Sequence, residues 1–97
     1  MEEQHLIPAR DFCTHYNVEY HFITSLQHHG LIEVTHIEDD DFIDHEQLLK
    51  LERFARMHYE MDINIEGIEA ISNLLQQINE MQDELNAFRN KLSFYQQ

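Results

Sequence analysis

The clearest pattern along the chain is a stripe of apolar residues in its last third. Its members alternate three and four positions apart for four heptads: Ile71, Leu74, Ile78, Met81, Leu85, Phe88, Leu92 and Tyr95. A lone helix would leave this apolar stripe in water, so the repeat predicts a coiled coil with a partner helix. The partner helix belongs either to a second copy of the chain or to the chain's own globular part. We expect a homodimer, because closed two-fold dimers are the commonest oligomers.

The pattern divides the chain into a domain over residues 1–63 and a dimerisation helix over residues 64–97. Asn64 stands just before the helical run, where its side chain can cap the first turn. Gly67 lies within that first turn and permits close backbone packing.

The first third of the chain predicts two short helices, Pro8–Tyr16 and Glu19–His29. Proline suits the first turn of a helix, and Gly30 supplies the left-handed conformation that commonly follows a last turn. The apolar residues of both helices fall at helical spacing: Phe12, Cys13, Tyr16, Phe22, Ile23 and Leu26. A joint of only two residues, Asn17 and Val18, makes the pair a helix-turn-helix candidate.

From Leu31 the pattern changes to alternation, with Ile32 and Val34 on either side of Glu33. β-Branched residues in alternation favour an extended strand. A second apolar pair, Phe42 and Ile43, follows a run of four acids. We interpret the two segments as a two-stranded wing whose tip carries the acids.

A third helix is expected from about His45 to Met61-Asp62. Asp44 precedes it and Gln47 follows three residues later, which is the arrangement of a capping box. The residues expected on its buried face are Leu48, Leu51, Ala55 and Tyr59.

Charge then narrows the choice of partner. The 97 residues carry a formal charge of −13, and residues 1–44 hold one basic residue, Arg10, against ten acidic ones. DNA binding requires Lys and Arg to neutralise phosphates, and the acids are concentrated on the module that would meet the duplex. The composition therefore disfavours nucleic acid and anionic membranes and favours a basic protein partner.

Catalytic and metal chemistry find little support in the sequence. Eight histidines are present, but no pair falls at the i, i+4 spacing that aims two rings at one ion. The four consecutive acids lack the spaced ligands and the glycine of a calcium loop. Cys13 lies on an apolar helix face, so we expect it to be a core residue. The sequence contains no glycine-rich loop or nucleophile elbow. We therefore expect no enzyme activity, no metal and no cofactor. A single cysteine and the lack of a leader or apolar span indicate a reducing cytoplasm.

Three segments together resemble the MerR-like fold and, more narrowly, the CbpM family of chaperone modulators: Asp11–His15, His28–Glu33 and Asp62–Ile68. The resemblance covers nearly the whole chain. It implies a mostly α fold, a MerR-like winged helix-turn-helix with a small β-wing and a long C-terminal coiled-coil helix. It also implies a protein that binds the J-domain of a DnaJ/CbpA-like co-chaperone and restrains its activity.

The charge pattern indicates where such a partner binds. J-domains of this kind carry a basic helix, so the predicted docking surface is the acidic wing, by which we mean Glu33, Glu38, Asp39, Asp40, Asp41 and Asp44. The alternative docking surface is an acidic face of the last helix: Glu66, Glu69, Glu80, Asp83 and Glu84. Two other functions stay open, a MerR-like DNA-binding transcription regulator and a dimeric adaptor for another basic client.

Overall fold

The structure is a computed structural model that describes residues 5–95. Within that range the elements are β1 (Leu6–Pro8), α1 (Ala9–Tyr16), α2 (Tyr20–His28), β2 (Thr35–Ile37), β3 (Asp40–Asp44), α3 (Leu48–Tyr59) and α4 (Ile65–Tyr95). A 3-10 turn, His45–Gln47, leads into α3. The predicted fold, mostly α with a small β-wing and a long C-terminal helix, is confirmed.

The tight joint between α1 and α2 follows from backbone conformations that the sequence permits. Asn17 ends α1 with a φ of 58°, a left-handed conformation that asparagine tolerates better than most residues. The next N–H, that of Val18, donates to the carbonyl of Cys13 at 3.0 Å. Gly30 ends α2 with a φ of 73°, as expected, so both helix ends of the helix-turn-helix were correctly predicted.

The sheet has three antiparallel strands in the order β1-β3-β2, and the prediction of only two strands was wrong. The missed strand, β1, is only three residues long and pairs Leu6 with Asp44, which leaves too short a run for alternation to show. The strand expected from Leu31 begins at Thr35. Leu31 and Ile32 are instead buried in the core, at 7% and 3% exposure, so their apolar character reflects burial in a loop.

Helix α3 has the predicted cap and a partly different buried face. The carboxylate of Asp44 accepts the N–H of Glu46 at 2.9 Å, but Gln47 does not complete the capping box. Tyr59, expected in the core, is 43% exposed because its hydroxyl accepts the N–H of Glu19 at the surface. Leu48 is only partly buried, and α3 ends at Tyr59 rather than near Asp62. The buried side chains of α3 are Leu51, Phe54, Ala55 and Met57.

The Gln47 side chain instead ties the wing to the helices. Its amide oxygen accepts the N–H of Glu33 at 2.8 Å, and its amide nitrogen donates to the Glu33 carbonyl at 2.6 Å. Two hydrogen bonds from one side chain therefore hold the segment that leads from the core into β2.

The core lies where the helix-turn-helix, the sheet, α3 and the start of α4 meet. Its fully enclosed side chains come from four different elements: Ile23, Leu26, Ile43, Leu51 and Ile68. Ile68 anchors α4, and Ile65 and Ile71 pack beside it. The first two turns of α4 thus belong to the globular part.

The start of α4 has the predicted cap. The Asn64 side chain accepts the N–H of Gly67 at 2.8 Å. A Cβ at Gly67 would lie 2.8 Å from the Cγ2 of Ile63, so glycine allows the close approach that the sequence suggested. From this anchor the 31 residues of α4 extend for about 46 Å at 1.5 Å per residue. Among the described helices, none combines the length and the apolar character needed to span a membrane.

Candidate functional site

The tip of the wing is formed by Glu38 and Asp39, which connect β2 to β3. Both side chains are exposed, and Glu38 holds a left-handed φ of 57° that the tight turn requires. Neither residue takes part in a salt bridge or side-chain hydrogen bond within residues 5–95. The tip therefore presents two carboxylates to solvent.

The next two acids contact the helix-turn-helix. Asp40 forms a salt bridge with Arg10 on α1, with 3.2 Å between Nη2 and Oδ1. Asp41 accepts a hydrogen bond from the Tyr20 hydroxyl at the start of α2. Its other carboxylate oxygen, Oδ1, touches Nδ1 of His36 but is shielded from solvent and lacks a partner with hydrogen-bond geometry. These two acids fasten the wing to the body of the protein.

The alternation of β3 explains why Asp41 reaches the body of the protein. Ile43 is fully buried, so Asp41, two positions earlier, also points towards the body of the protein. Its carboxylate raises the pKa of Tyr20 to about 12, chiefly by accepting the phenolic hydrogen bond, with partial burial and the negative charge adding to the effect. The sequence could indicate the inward direction of Asp41, because Ile43 was an expected strand residue, but it could not indicate Tyr20 as the partner.

Asp44 and Glu33 lie away from the tip. Asp44 pairs with Leu6 at the far end of β3, about 13 Å along the strand from Asp40, and uses its carboxylate as a helix cap. Glu33 is held through its backbone, and its exposed side chain is free of hydrogen bonds within the described residues. The acidic wing is thus a band along β3 and the turn before it, with Glu33 outside the sheet in the segment before β2, and its unengaged carboxylates are concentrated at the tip.

The apolar stripe of α4 forms a second candidate surface. Ile71 is partly buried against the core, whereas the rest of the stripe is open to solvent in the single chain. Exposure is 57% at Leu74, 49% at Leu85 and 59% at Leu92. Within residues 5–95 no segment folds back to cover it. Leu75, which the heptad pattern passed over, widens this exposed face, whereas the exposed Phe94 lies on another side of the helix.

The alternative acidic face on α4 is interrupted. Glu69 lies near the globular part and bonds to the Nδ1 of His29, the residue that follows α2, at 2.9 Å. Glu80, Asp83 and Glu84 lie on the exposed distal part of the helix. These three carry the charge of this face away from the globular part, although Glu80 also accepts a hydrogen bond from the Gln76 amide at 3.4 Å.

Histidines gather in a cleft of about 490 Å³ between α2 and the start of α4: His21, His28, His29 and His58. Among the residues that the structure describes, no three His, Cys, Asp or Glu side chains converge closely enough to hold a metal ion. Cys13 is partly buried against the core, and this burial raises the pKa of its thiol.

Comparisons with known proteins agree with this geometry. A family model described as MerR HTH family regulatory protein matches residues 7–90, which run from β1 through most of α4. The chain is also similar to the chaperone modulatory protein CbpM of Pseudomonas putida (strain GB-1). The identity is 25% over 92 residues, which cover 94% of this chain and 91% of that protein. No solved structure gives a significant match.

Proposed function

The chain belongs to the family of MerR helix-turn-helix regulatory proteins, and we propose that it regulates a protein partner, as a chaperone modulator. The proposed partner is the basic J-domain of a DnaJ/CbpA-like co-chaperone, whose activity the protein restrains without catalysing a reaction. The acidic wing is the proposed docking surface, and α4 is the proposed homodimer contact.

One observation carries the proposal: the surface that would read DNA in a winged helix-turn-helix is acidic. Helix α2 and residues 35–44 contain no Lys or Arg, and residues 35–44 contain five acids. A DNA-reading surface needs cations, since each phosphate contact releases bound counterions. A helix-turn-helix surface with this negative charge is complementary to a cationic protein surface. The similarity to CbpM along 94% of the chain supports a partner from a chaperone system.

The geometry of the wing suggests how docking proceeds. Glu38 and Asp39 project from the tip and can attract a basic helix from a distance, which raises the rate of encounter. Asp40 already holds Arg10, so a cation from the partner must share or replace that contact. The tip residues can therefore pair with the partner's cations without breaking a contact within the protein.

The apolar stripe of α4 supports the homodimer part of the proposal. Nine of the fifteen large exposed hydrophobic side chains of the described residues lie on this one helix. An apolar surface of that extent is unusual on a monomer, and a second copy of the same helix would bury it by heptad packing.

Charge reversal at the wing tip tests the docking surface. Replacing Glu38 and Asp39 together by Lys should weaken binding to a purified J-domain by about 4-fold to several hundred-fold. Each exposed pair contributes about 0.2 to 1 kcal/mol, and each reversal adds repulsion of similar size. Calorimetry measures the affinity, and circular dichroism checks that the fold is retained.

The matched control reverses Glu80 and Asp83 on α4, which makes the same change in net charge on the alternative acidic face. If the α4 pair weakens binding and the tip pair leaves it unchanged, the docking surface is the acidic face of α4. If both pairs weaken binding equally, net charge rather than a site controls association. No binding by the wild-type protein would reject the J-domain as partner.

DNA binding provides an independent test of the proposed function. Because the winged helix-turn-helix surface is acidic, fluorescence anisotropy with duplex pools at physiological salt should show no sequence-specific binding at micromolar protein. Micromolar or tighter specific binding would favour the alternative function, a MerR-like transcription regulator.

A further inference from the structure

A groove lies beside α1, away from the wing tip, and encloses about 410 Å³. It forms where β1, α1 and the start of α3 meet. Phe12 is its floor, at 2% exposure, while Ile7 and Leu48 are only partly buried. The lining residues are Ile7, Asp11, Phe12, His15, Tyr16 and Leu48. Most of this lining is apolar, and within the described residues nothing fills the groove.

The rim of this α1 groove is acidic. Asp11 is exposed on one side of the groove, and Glu52, which lines a neighbouring cavity rather than the groove, accepts a hydrogen bond from the groove residue Tyr16. No Lys or Arg lines the groove. An apolar floor with one carboxylate at the rim, and a second beside Tyr16, is complementary to an apolar side chain that projects from a basic segment.

Helix α1 places the groove next to the acidic wing. Arg10 forms the salt bridge to Asp40 of the wing, and the following residue, Asp11, lines the groove. Successive residues on a helix are about 100° apart, so the two side chains leave α1 on neighbouring faces. A partner lying across α1 can therefore reach both surfaces at once.

We propose that the α1 groove seats an apolar side chain from the basic helix of the J-domain partner, and that the acidic wing holds cations of the same partner. This inference rests on the proposed function. It gives the two surfaces different roles, attraction of the partner by the acidic wing and tight binding by the α1 groove. Exposed charges mainly increase the encounter rate and fix orientation, whereas a buried apolar anchor supplies most of the affinity and slows dissociation.

A substitution that fills the groove tests the proposal. His15 lies on the exposed side of α1 at the rim, so His15→Trp adds bulk there without altering the core. Loss of a buried anchor should weaken J-domain binding by about 30-fold or more, the usual effect of removing an interface hot spot. The matched control is Gln27→Trp, which adds the same side chain to an exposed position of α2 outside the groove. It should change the affinity by less than about twofold.

A second measurement uses the wild-type protein and does not depend on the variants folding. Methyl-labelled Ile7 and Leu48 should show large chemical-shift changes when the unlabelled J-domain is added, because both methyl groups line the groove. The buried Ile23, which does not line the groove, serves as the internal reference.

The outcomes separate the groove from the function on which it rests. Binding by wild type with unchanged affinity in His15→Trp and silent Ile7 and Leu48 methyls would reject the groove and leave the acidic wing as the whole docking surface. Equal losses in His15→Trp and Gln27→Trp would also reject it. An absence of wild-type binding would reject the J-domain partner itself. Selective loss in His15→Trp with shifted methyls would establish the anchor site.

Discussion

The globular part and the distal part of α4 use the same kind of residue in opposite ways. Up to Ile68, aliphatic side chains meet others from the sheet and three helices, and several are fully enclosed. From Leu74 onward the same aliphatic spacing continues, but the side chains are exposed. Apolar periodicity therefore identifies a face that must be covered, and only the fold decides whether the chain covers that face itself.

The largest effect should come from a core truncation in the globular part. Leu51→Ala removes a fully buried side chain at the centre of α3, and the free energy of unfolding should fall by about 3 to 5 kcal/mol. Because the loss occurs within one chain, it should not depend on protein concentration. Urea denaturation at two protein concentrations measures both features. A loss below about 1 kcal/mol would contradict the core described above.

A truncation in the apolar stripe should behave differently. Leu85→Ala, at a position 49% exposed in the single chain, should cost about 2 to 4 kcal/mol if a second helix buries it. This loss should appear as weaker dimerisation, so the melting temperature should become more dependent on protein concentration. Light scattering reports the mass directly. A monomeric wild-type mass at micromolar concentration would remove the dimer prediction and, with it, the contrast between the two variants.

The joint between the two regions is expected to show an intermediate effect. Gly67→Ala places a Cβ 2.8 Å from Ile63, which should cost about 1 to 3 kcal/mol in overpacking. The better helix propensity of alanine returns about 1 kcal/mol, so the net loss of unfolding free energy should be about 1 kcal/mol. Thermal denaturation tests the sign. A stabilised variant would mean that Ile63 moves aside easily and that the joint is looser than the contact distance suggests.

The smallest effect should come from the contact between the wing and α2, and it should depend on pH. Folding raises the pKa of Tyr20 to about 12, so the stabilisation by its hydrogen bond to Asp41 is complete below the unfolded pKa of about 10. It is lost as the pH rises through about 12. Tyr20 is 38% exposed, so Tyr20→Phe should cost only a few tenths of a kcal/mol at pH 8.

Chemical denaturation between pH 8 and 12 tests this contact, with Tyr95→Phe as the control, because the exposed Tyr95 hydroxyl makes no hydrogen bond within the described residues. The difference in stability between the wild-type protein and Tyr20→Phe should shrink as the pH rises. A constant difference would show that the Tyr20 ring stabilises the fold by packing, independently of its hydroxyl group.

The sequence predicted correctly the helix ends and caps that depend on only a few neighbouring residues. Asn17 and Gly30 ended the first two helices, and Asn64 capped α4, because each acts on its own neighbours. The errors involve partners distant in sequence. Strand β1 forms only because β3 is there to pair with it, and Tyr59 is drawn to the surface by the N–H of Glu19, 40 residues earlier.

The candidate site divides in the same way. The acids of residues 38–41 could be identified from composition, but their engagement could not. The salt bridge from Arg10 to Asp40 and the hydrogen bond from Tyr20 to Asp41 join residues 30 and 21 positions apart. The α1 groove combines residues from three elements, and no short segment of the sequence indicates it.

The two hydrogen bonds between Gln47 and residue 33 affect which substitutions the protein can tolerate during evolution. Both hydrogen bonds end on backbone atoms of Glu33, so they survive any replacement of that side chain. Position 47 has less freedom, since a side-chain amide presents a donor nitrogen and an acceptor oxygen side by side, as both bonds to residue 33 require; glutamate would lack the donor and lysine the acceptor. Selection can therefore retune the charge at residue 33 towards a new partner without loosening the wing, provided that the glutamine behind it stays.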